Sequence, residues 1–173
     1  TAERVSGLQH RVVSDRAAEV VFGIDVHDEL LYWTVAAVTQ KFSGNIIAYG
    51  TWPEQPQPWF TLRSCKRKLT DEYGGVSVEE AIERGVLELS EKLLDGPWQT
   101  MDGRSLPIGC GLVDAGHKTD EVTRQTVEAT ARILEAQGHH IEPVPIPVHS
   151  TFPDDFALYW ALLAFGMKLN GRK

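Results

Sequence analysis

Three β-rich runs follow one another almost without interruption between Val20 and Trp52, and strand-like and helix-like stretches then alternate to the end of the chain. That order limits the fold more than any single residue does. The runs are Val20–Val26, Leu31–Thr39 and Ile46–Trp52, separated only by "HDEL" and by a turn at Ser43–Asn45. Links this short cannot make a parallel crossover, so the three runs read as an antiparallel meander. "PEQPQP", from Pro53 to Pro58, then breaks regular structure, and the stretch through Gly75 reads as an irregular insertion. "SVEEAIERGVLELSEKLL" is a helix: Ser77 and Glu80 have capping-box spacing, and Val78, Ile82, Val86, Leu89 and Leu93 mark one apolar face. Leu106–Val113 is a fourth strand ending at Asp114. A helix follows, with Thr119 as its cap, Asp120 and Glu121 at its positive end and Gly138 as its stop. Ile141–Val148 is a strand carrying alternate prolines, so it is expected to be short or at an edge. Asp154–Leu169 reads as a final helix, with Pro153 in its first turn. The sum is a mixed sheet covered by helices, one domain over residues 19–173 after a lead-in over residues 1–18.

A chain of 173 residues can bury a real core, and 42% hydrophobic with 24% charged residues is ordinary for a globular protein. No apolar run approaches the roughly 20 residues of a membrane span. Cys65 and Cys110 have neither disulfide-framework nor zinc spacing and read as reduced thiols of a cytosolic protein. The chain opens on Thr1 rather than Met, which suggests an excised domain or a processed chain. A net charge of −7 argues against indiscriminate nucleic-acid binding. Local contacts stay open through Arg63, Lys66, Arg67 and Lys68 in "LRSCKRKL" and through Lys168, Arg172 and Lys173, the alternative being solvated charged faces.

The chemistry rests on carboxylates. Asp25 ends the first strand, Asp114 ends the fourth, and Asp154 and Asp155 open the last helix. Strand interiors disfavour Asp, and a buried unpaired charge is costly. If strands one and four are parallel neighbours, about 4.8 Å apart, their ends fall side by side at the usual ligand crevice of such sheets. Clustered carboxylates need a cation to relieve their repulsion, and an oxygen donor set suits Mg²⁺ or Mn²⁺. Two such ions can activate water and stabilise the leaving oxygen of a phosphodiester. Each Asp also has a bland reading: a turn cap for Asp25, an Asx-turn for Asp114, a helix-terminal charge for Asp154 or Asp155. His117 could orient a phosphate or take a proton, or be a loop histidine; Lys118 could contact a phosphate or be solvated. His27 is a weaker candidate, and His139 and His140 read as surface residues. Trp52, Trp59 and Trp98 read as core edges, with base stacking the alternative.

The element order and the Asp positions resemble the RNase H-like fold: a five-stranded mixed sheet, three strands antiparallel and the rest parallel, flanked by helices. Within it the chain resembles the nuclease domain of phage terminase large subunits. "FGIDVHDELLYWTVAAV" is similar to that family's first-strand motif, "GLVDAGHKTDEV" to its fourth-strand motif, and "FPDDFALYWALLAFG" to its C-terminal acidic motif. The resemblance implies that Asp25, Asp114 and one or both of Asp154 and Asp155 bind two Mg²⁺ or Mn²⁺ ions. It further implies cleavage of concatemeric double-stranded viral DNA in the host cytoplasm. The implied partners are a packaging ATPase domain, the portal and the small terminase subunit. The chain has no Gly-Lys-Ser/Thr phosphate loop, so it corresponds to the nuclease half without its motor.

Other readings are a Holliday-junction resolvase or another RNase H-like nuclease, and a non-catalytic interaction domain whose last helix docks a partner. An actin-like sugar kinase half begins with a similar Gly-x-Asp strand, but the phosphate-binding glycines it needs are missing.

Overall fold

The computed structural model describes residues 9–40, 43–96, 98–113, 121–143 and 167–170. Its strands are β1 (Val12–Val13), β2 (Glu19–Val26), β3 (Leu31–Val38), β4 (Gly44–Trp52), β5 (Gln99–Thr100), β6 (Ile108–Val113), β7 (His140–Pro143) and β8 (Met167–Asn170). Its helices are α1 (Leu69–Glu72), α2 (Val78–Leu94) and α3 (Glu121–Ala136).

The large sheet has the order β4-β3-β2-β6-β8-β7. β2, β3 and β4 form the expected antiparallel meander, and β6 lies parallel beside β2. Two expectations need correction. Among the described residues the sheet has six strands rather than five, because β8 runs antiparallel between β6 and the edge strand β7. Met167–Leu169, expected as the end of a helix, belongs to that strand. Its β-branched content is low, so local propensity gives no warning; pairing on both sides decides the conformation. The expected start of that helix, Asp154 onward to residue 166, lies outside the described residues. β7 is short and at an edge, as its prolines suggest.

Alternation explains the core. In β2 the even positions Val20, Phe22, Ile24 and Val26 are buried, while the odd positions Val21, Gly23 and Asp25 are half-buried. The even face packs against α2, whose Ile82, Val86, Leu89 and Leu93 join one cluster with Leu31, Val35 and Leu69. Each such aliphatic side chain contributes about 1.5–3 kcal/mol on burial. α2 starts where its cap chemistry says it must: Ser77 Oγ accepts the Glu80 N–H at 3.2 Å, with Glu79 and Glu80 in the first turn and Lys92 in the last.

α3 stops at Gly138, whose φ of +95° only glycine adopts cheaply. The N–H groups of Gly138 and His139 return to the carbonyls of Glu135 and Leu134, closing the helix end. His139, expected at the surface, is 6% exposed. The same return of the chain that caps α3 turns this residue inward, while His140 stays exposed.

Residues before Ala18 show no period, yet β1 pairs in parallel with β5 and Val13 is fully buried. Trp98 is buried in the same core and donates its indole N–H to the Leu93 carbonyl at 2.9 Å. No helix among the described residues is long and apolar enough to cross a membrane.

Candidate functional site

Asp25 stands one residue from the end of β2, on the sheet face opposite α2, directly across from Tyr32 of β3. The placement removes the apparent conflict of an acid in an apolar strand. Alternation sends the Asp25 side chain away from the core, where it is 44% exposed. The apolar run therefore serves the core with its even positions and presents a carboxylate with an odd one.

Two aromatic rings and one imidazole build the surroundings of that carboxylate. His27 Nε2 lies 3.2 Å from Asp25 Oδ2. The imidazole meets the Tyr32 ring edge to face, with centroids 5.6 Å apart and planes at 89°. Phe60 stacks on Tyr32 at 6.3 Å, nearly parallel. Burial pushes the Tyr32 phenol above its ordinary value, and the nearby Cys65 and Asp25 push it further the same way. Tyr32 therefore keeps its proton at neutral pH. His27 is a weak candidate in sequence because nothing there ties it to Asp25; the available signal is the i, i+2 spacing at a strand end, where the twist of the chain brings the two side chains together.

Phe60 belongs to the insertion after β4, so the stack also fixes where the basic segment lies. The Leu69 N–H donates to the Glu29 carbonyl in the β2–β3 turn at 2.8 Å. The segment between Phe60 and Leu69, which carries Arg63, Lys66, Arg67 and Lys68, is thereby anchored at both ends beside the Asp25 end of the sheet. All four cations are exposed. Arg67 pairs with Glu72 and reaches the Glu54 carbonyl, whereas no described carboxylate pairs with Arg63, Lys66 or Lys68.

β2 and β6 are in parallel register up to Ile24 beside Val113. Asp25 follows Ile24. Asp114 is the residue after Val113 in sequence, and it lies outside the described residues, as do His117, Lys118, Asp154 and Asp155. Among the described residues no three His, Cys, Asp or Glu side chains gather as a metal site. Cys65 and Cys110 are free thiols, the first buried.

A concavity of about 220 Å³ lies between β3, β4 and the end of α2, lined by Trp33, Trp52, Trp98, Tyr49 and Lys92 among others. It contains none of the aspartates singled out from sequence. Lys92 there sits 4.2 Å above the Trp52 ring.

Comparison with known proteins gives three results. A curated protein of Mycobacterium leprae (strain TN), "Putative amidase AmiC", is 48% identical over 50 residues, which is 28% of this chain and 11% of that protein. The chain thus spans about a ninth of that relative, and so short a match carries none of its named activity here. No solved structure matches. The family described as "Terminase large subunit gpA, endonuclease domain" matches residues 1–153. Most of the chain, including β2, the basic insertion and β6, falls inside that match, and the chain belongs to the terminase large subunit gpA endonuclease-domain family.

Proposed function

We propose that this domain is a Mg²⁺- or Mn²⁺-dependent endonuclease that cuts concatemeric double-stranded viral DNA during packaging, on an RNase H-like core. The observation that carries the reading is the parallel register of Ile24 and Val113. In this reading Asp25, which follows Ile24, and Asp114, which follows Val113 in sequence, supply the first two metal ligands. An acid from the segment that holds Asp154 and Asp155 completes the set. Carboxylate oxygens suit hard divalent cations. When bound, two such ions supply an activated water and neutralise charge on the scissile phosphate.

The chain's own residues do the remaining work. Asp25 offers its oxygens from a strand paired on both sides, so the ligand is positioned before substrate arrives. His27 holds the orientation of the Asp25 carboxylate through the 3.2 Å contact. Arg63, Lys66 and Lys68 bind backbone phosphates beside that end of the sheet, which reconciles an acidic chain with a DNA substrate. Arg67 supports the loop that carries them. His117 orients a phosphate or takes a proton, and Lys118 contacts a phosphate. A packaging ATPase domain, the portal and the small terminase subunit are the partners of this reading, and the host cytoplasm is its place of action.

The test is plasmid nicking and linearisation with Mg²⁺, with Mn²⁺, and with chelator. Cleavage with the ions and none with chelator is expected. A folded chain that cuts with neither ion would overturn the proposal.

A further inference from the structure

Trp59 is 89% exposed, whereas Trp98 is 3% exposed. A fully solvated indole is unusual, because tryptophan is large and highly buried on average. Its loop does not wander: the Gln55 side-chain amide uses its whole bonding capacity inside it. Gln55 Oε1 accepts the N–H groups of Lys66 and Arg67 at 2.9 and 3.2 Å, and Nε2 donates to the Arg67 and Pro53 carbonyls at 2.7 and 3.2 Å. Gln57 Nε2 donates to the Ser64 carbonyl at 3.0 Å, and Thr61 and Ser64 bond reciprocally. The exposed ring is therefore displayed on a braced loop.

Three features around Trp59 say what it meets. Phe60, the next residue, stacks on Tyr32, the cross-strand neighbour of Asp25. The same loop carries the exposed cations Arg63, Lys66 and Lys68. A protein partner with an apolar pocket would have no need of that charge, whereas a nucleic acid offers phosphates to the cations and a flat apolar face to the ring. A paired, stacked duplex hides its base faces, so the ring needs an unstacked base.

We infer that Trp59 is a base-stacking residue that captures an unpaired base at a nicked, gapped or frayed duplex held beside Asp25. This rests on the nuclease reading and adds to it a preference among DNA structures. Stacking on one base is worth about 1–3 kcal/mol, which corresponds to about 5- to 150-fold in affinity. The braced loop keeps the ordering cost of that contact low.

The test compares the full chain with Trp59→Ala, Trp59→Lys and Trp59→Phe. Affinity is measured in chelator for a fully paired duplex and for the same duplex with a three-nucleotide gap, and plasmid cleavage is measured in Mn²⁺. Wild type is expected to favour the gapped duplex. Trp59→Ala loses that preference by about 5-fold or more while holding the paired duplex within about 2-fold, Trp59→Lys loses the preference while its added charge raises affinity for both duplexes alike, and Trp59→Phe keeps most of it. Equal melting temperatures show that the variants fold; at so exposed a position, at least the lysine variant will. Equal loss on both duplexes, no loss on either, or no preference in wild type overturns the inference. Failure of wild type to cleave plasmid in either ion overturns the nuclease reading instead, and the two failures are read from separate assays.

Discussion

Ile24 of β2 stands beside Val113 of β6 in parallel register, and both belong to the buried core. The next residue along each chain segment is an aspartate. Replacing either acid by its amide keeps the volume and removes the charge. Asp25→Asn and Asp114→Asn are therefore expected to lower Mn²⁺-dependent plasmid cleavage by about 10³-fold or more, given that metal-borne charge stabilisation is worth several kcal/mol. Circular dichroism and melting should stay close to wild type for Asp25→Asn, since Asp25 is half exposed and stands outside the core. Full activity in either variant would remove that residue from the proposed metal site.

His27 Nε2 lies 3.2 Å from Asp25 Oδ2, and on the proposed reading it positions that carboxylate. Groups that orient a metal ligand typically change metal affinity by about 10- to 100-fold when removed. His27→Ala should raise the Mn²⁺ concentration for half-maximal cleavage by about that factor and leave the rate at saturating Mn²⁺ nearly unchanged. His27→Asn, which keeps a side-chain donor, should recover part of the loss. An unchanged half-saturation point would mean that the contact is idle.

The meander and the α2 face and cap are legible in the sequence because short-range rules govern them: alternation, helical period, Ser77 capping and link length. β8 is not, because Met167–Asn170 has no strand signature and is held by its neighbours β6 and β7. The role of Val13 is hidden for the same reason: a two-residue strand has no period, and its burial comes from pairing with β5 and from the core it shares with Trp98. In the site, Asp25 stands out as an acid in an apolar run. Tyr32 and Phe60 do not, since their stack joins two segments far apart in the chain and no local pattern announces it. Trp59 reads as a core edge because tryptophan usually is one; its exposure depends on the braced loop around Gln55.

The exposed cations of the insertion should act additively on DNA. Removing one phosphate-binding cation lowers the salt slope of binding by about 1. Arg63→Glu, Lys66→Glu and Lys68→Glu are each expected to weaken duplex binding and flatten its dependence on salt without changing the melting temperature. Arg67→Ala should differ, because Arg67 is bound to Glu72 and Glu54 inside the loop. It should lower thermal stability slightly as well as affinity. Binding isotherms between about 50 and 200 mM salt separate the two kinds of residue; slopes unchanged from wild type in all four variants would place the DNA path elsewhere.

A Cβ at Gly111 would crowd the Phe22 ring, closer than any van der Waals contact allows. The ring is buried and fixed by the core, so it cannot simply swing away. Gly111→Ala is expected to cost about 1–3 kcal/mol through overpacking, read as a lower urea midpoint. A combined Gly111→Ala and Phe22→Leu variant should recover part of it. No loss in the single variant would mean that β6 shifts along β2, and cleavage should then fall instead.

Tyr73 gives the fold an alkaline weakness. Its hydroxyl donates to Glu88 Oε2 at 2.9 Å and accepts the Trp52 indole N–H at 3.0 Å, joining the end of α1 to α2 and β4. Burial and the neighbouring Glu88 push its phenol up to about 12, against the Trp52 bond, which pulls it down. In the unfolded chain the phenol titrates near about 10. Between these values the folded protein holds a proton that the unfolded chain has released, so stability falls as pH rises. The contribution is complete below about pH 10 and is lost as pH climbs through about 12. Because the group is partly exposed, screening leaves the effect at roughly 1 kcal/mol or less. Tyr73→Phe should be less stable than wild type at about pH 8, by about 0.5–1.5 kcal/mol for the missing hydrogen bonds. Its urea midpoint should fall less steeply between about pH 9.5 and 11.5. If both proteins lose stability in parallel over that window, the Tyr73 proton is not held by the fold.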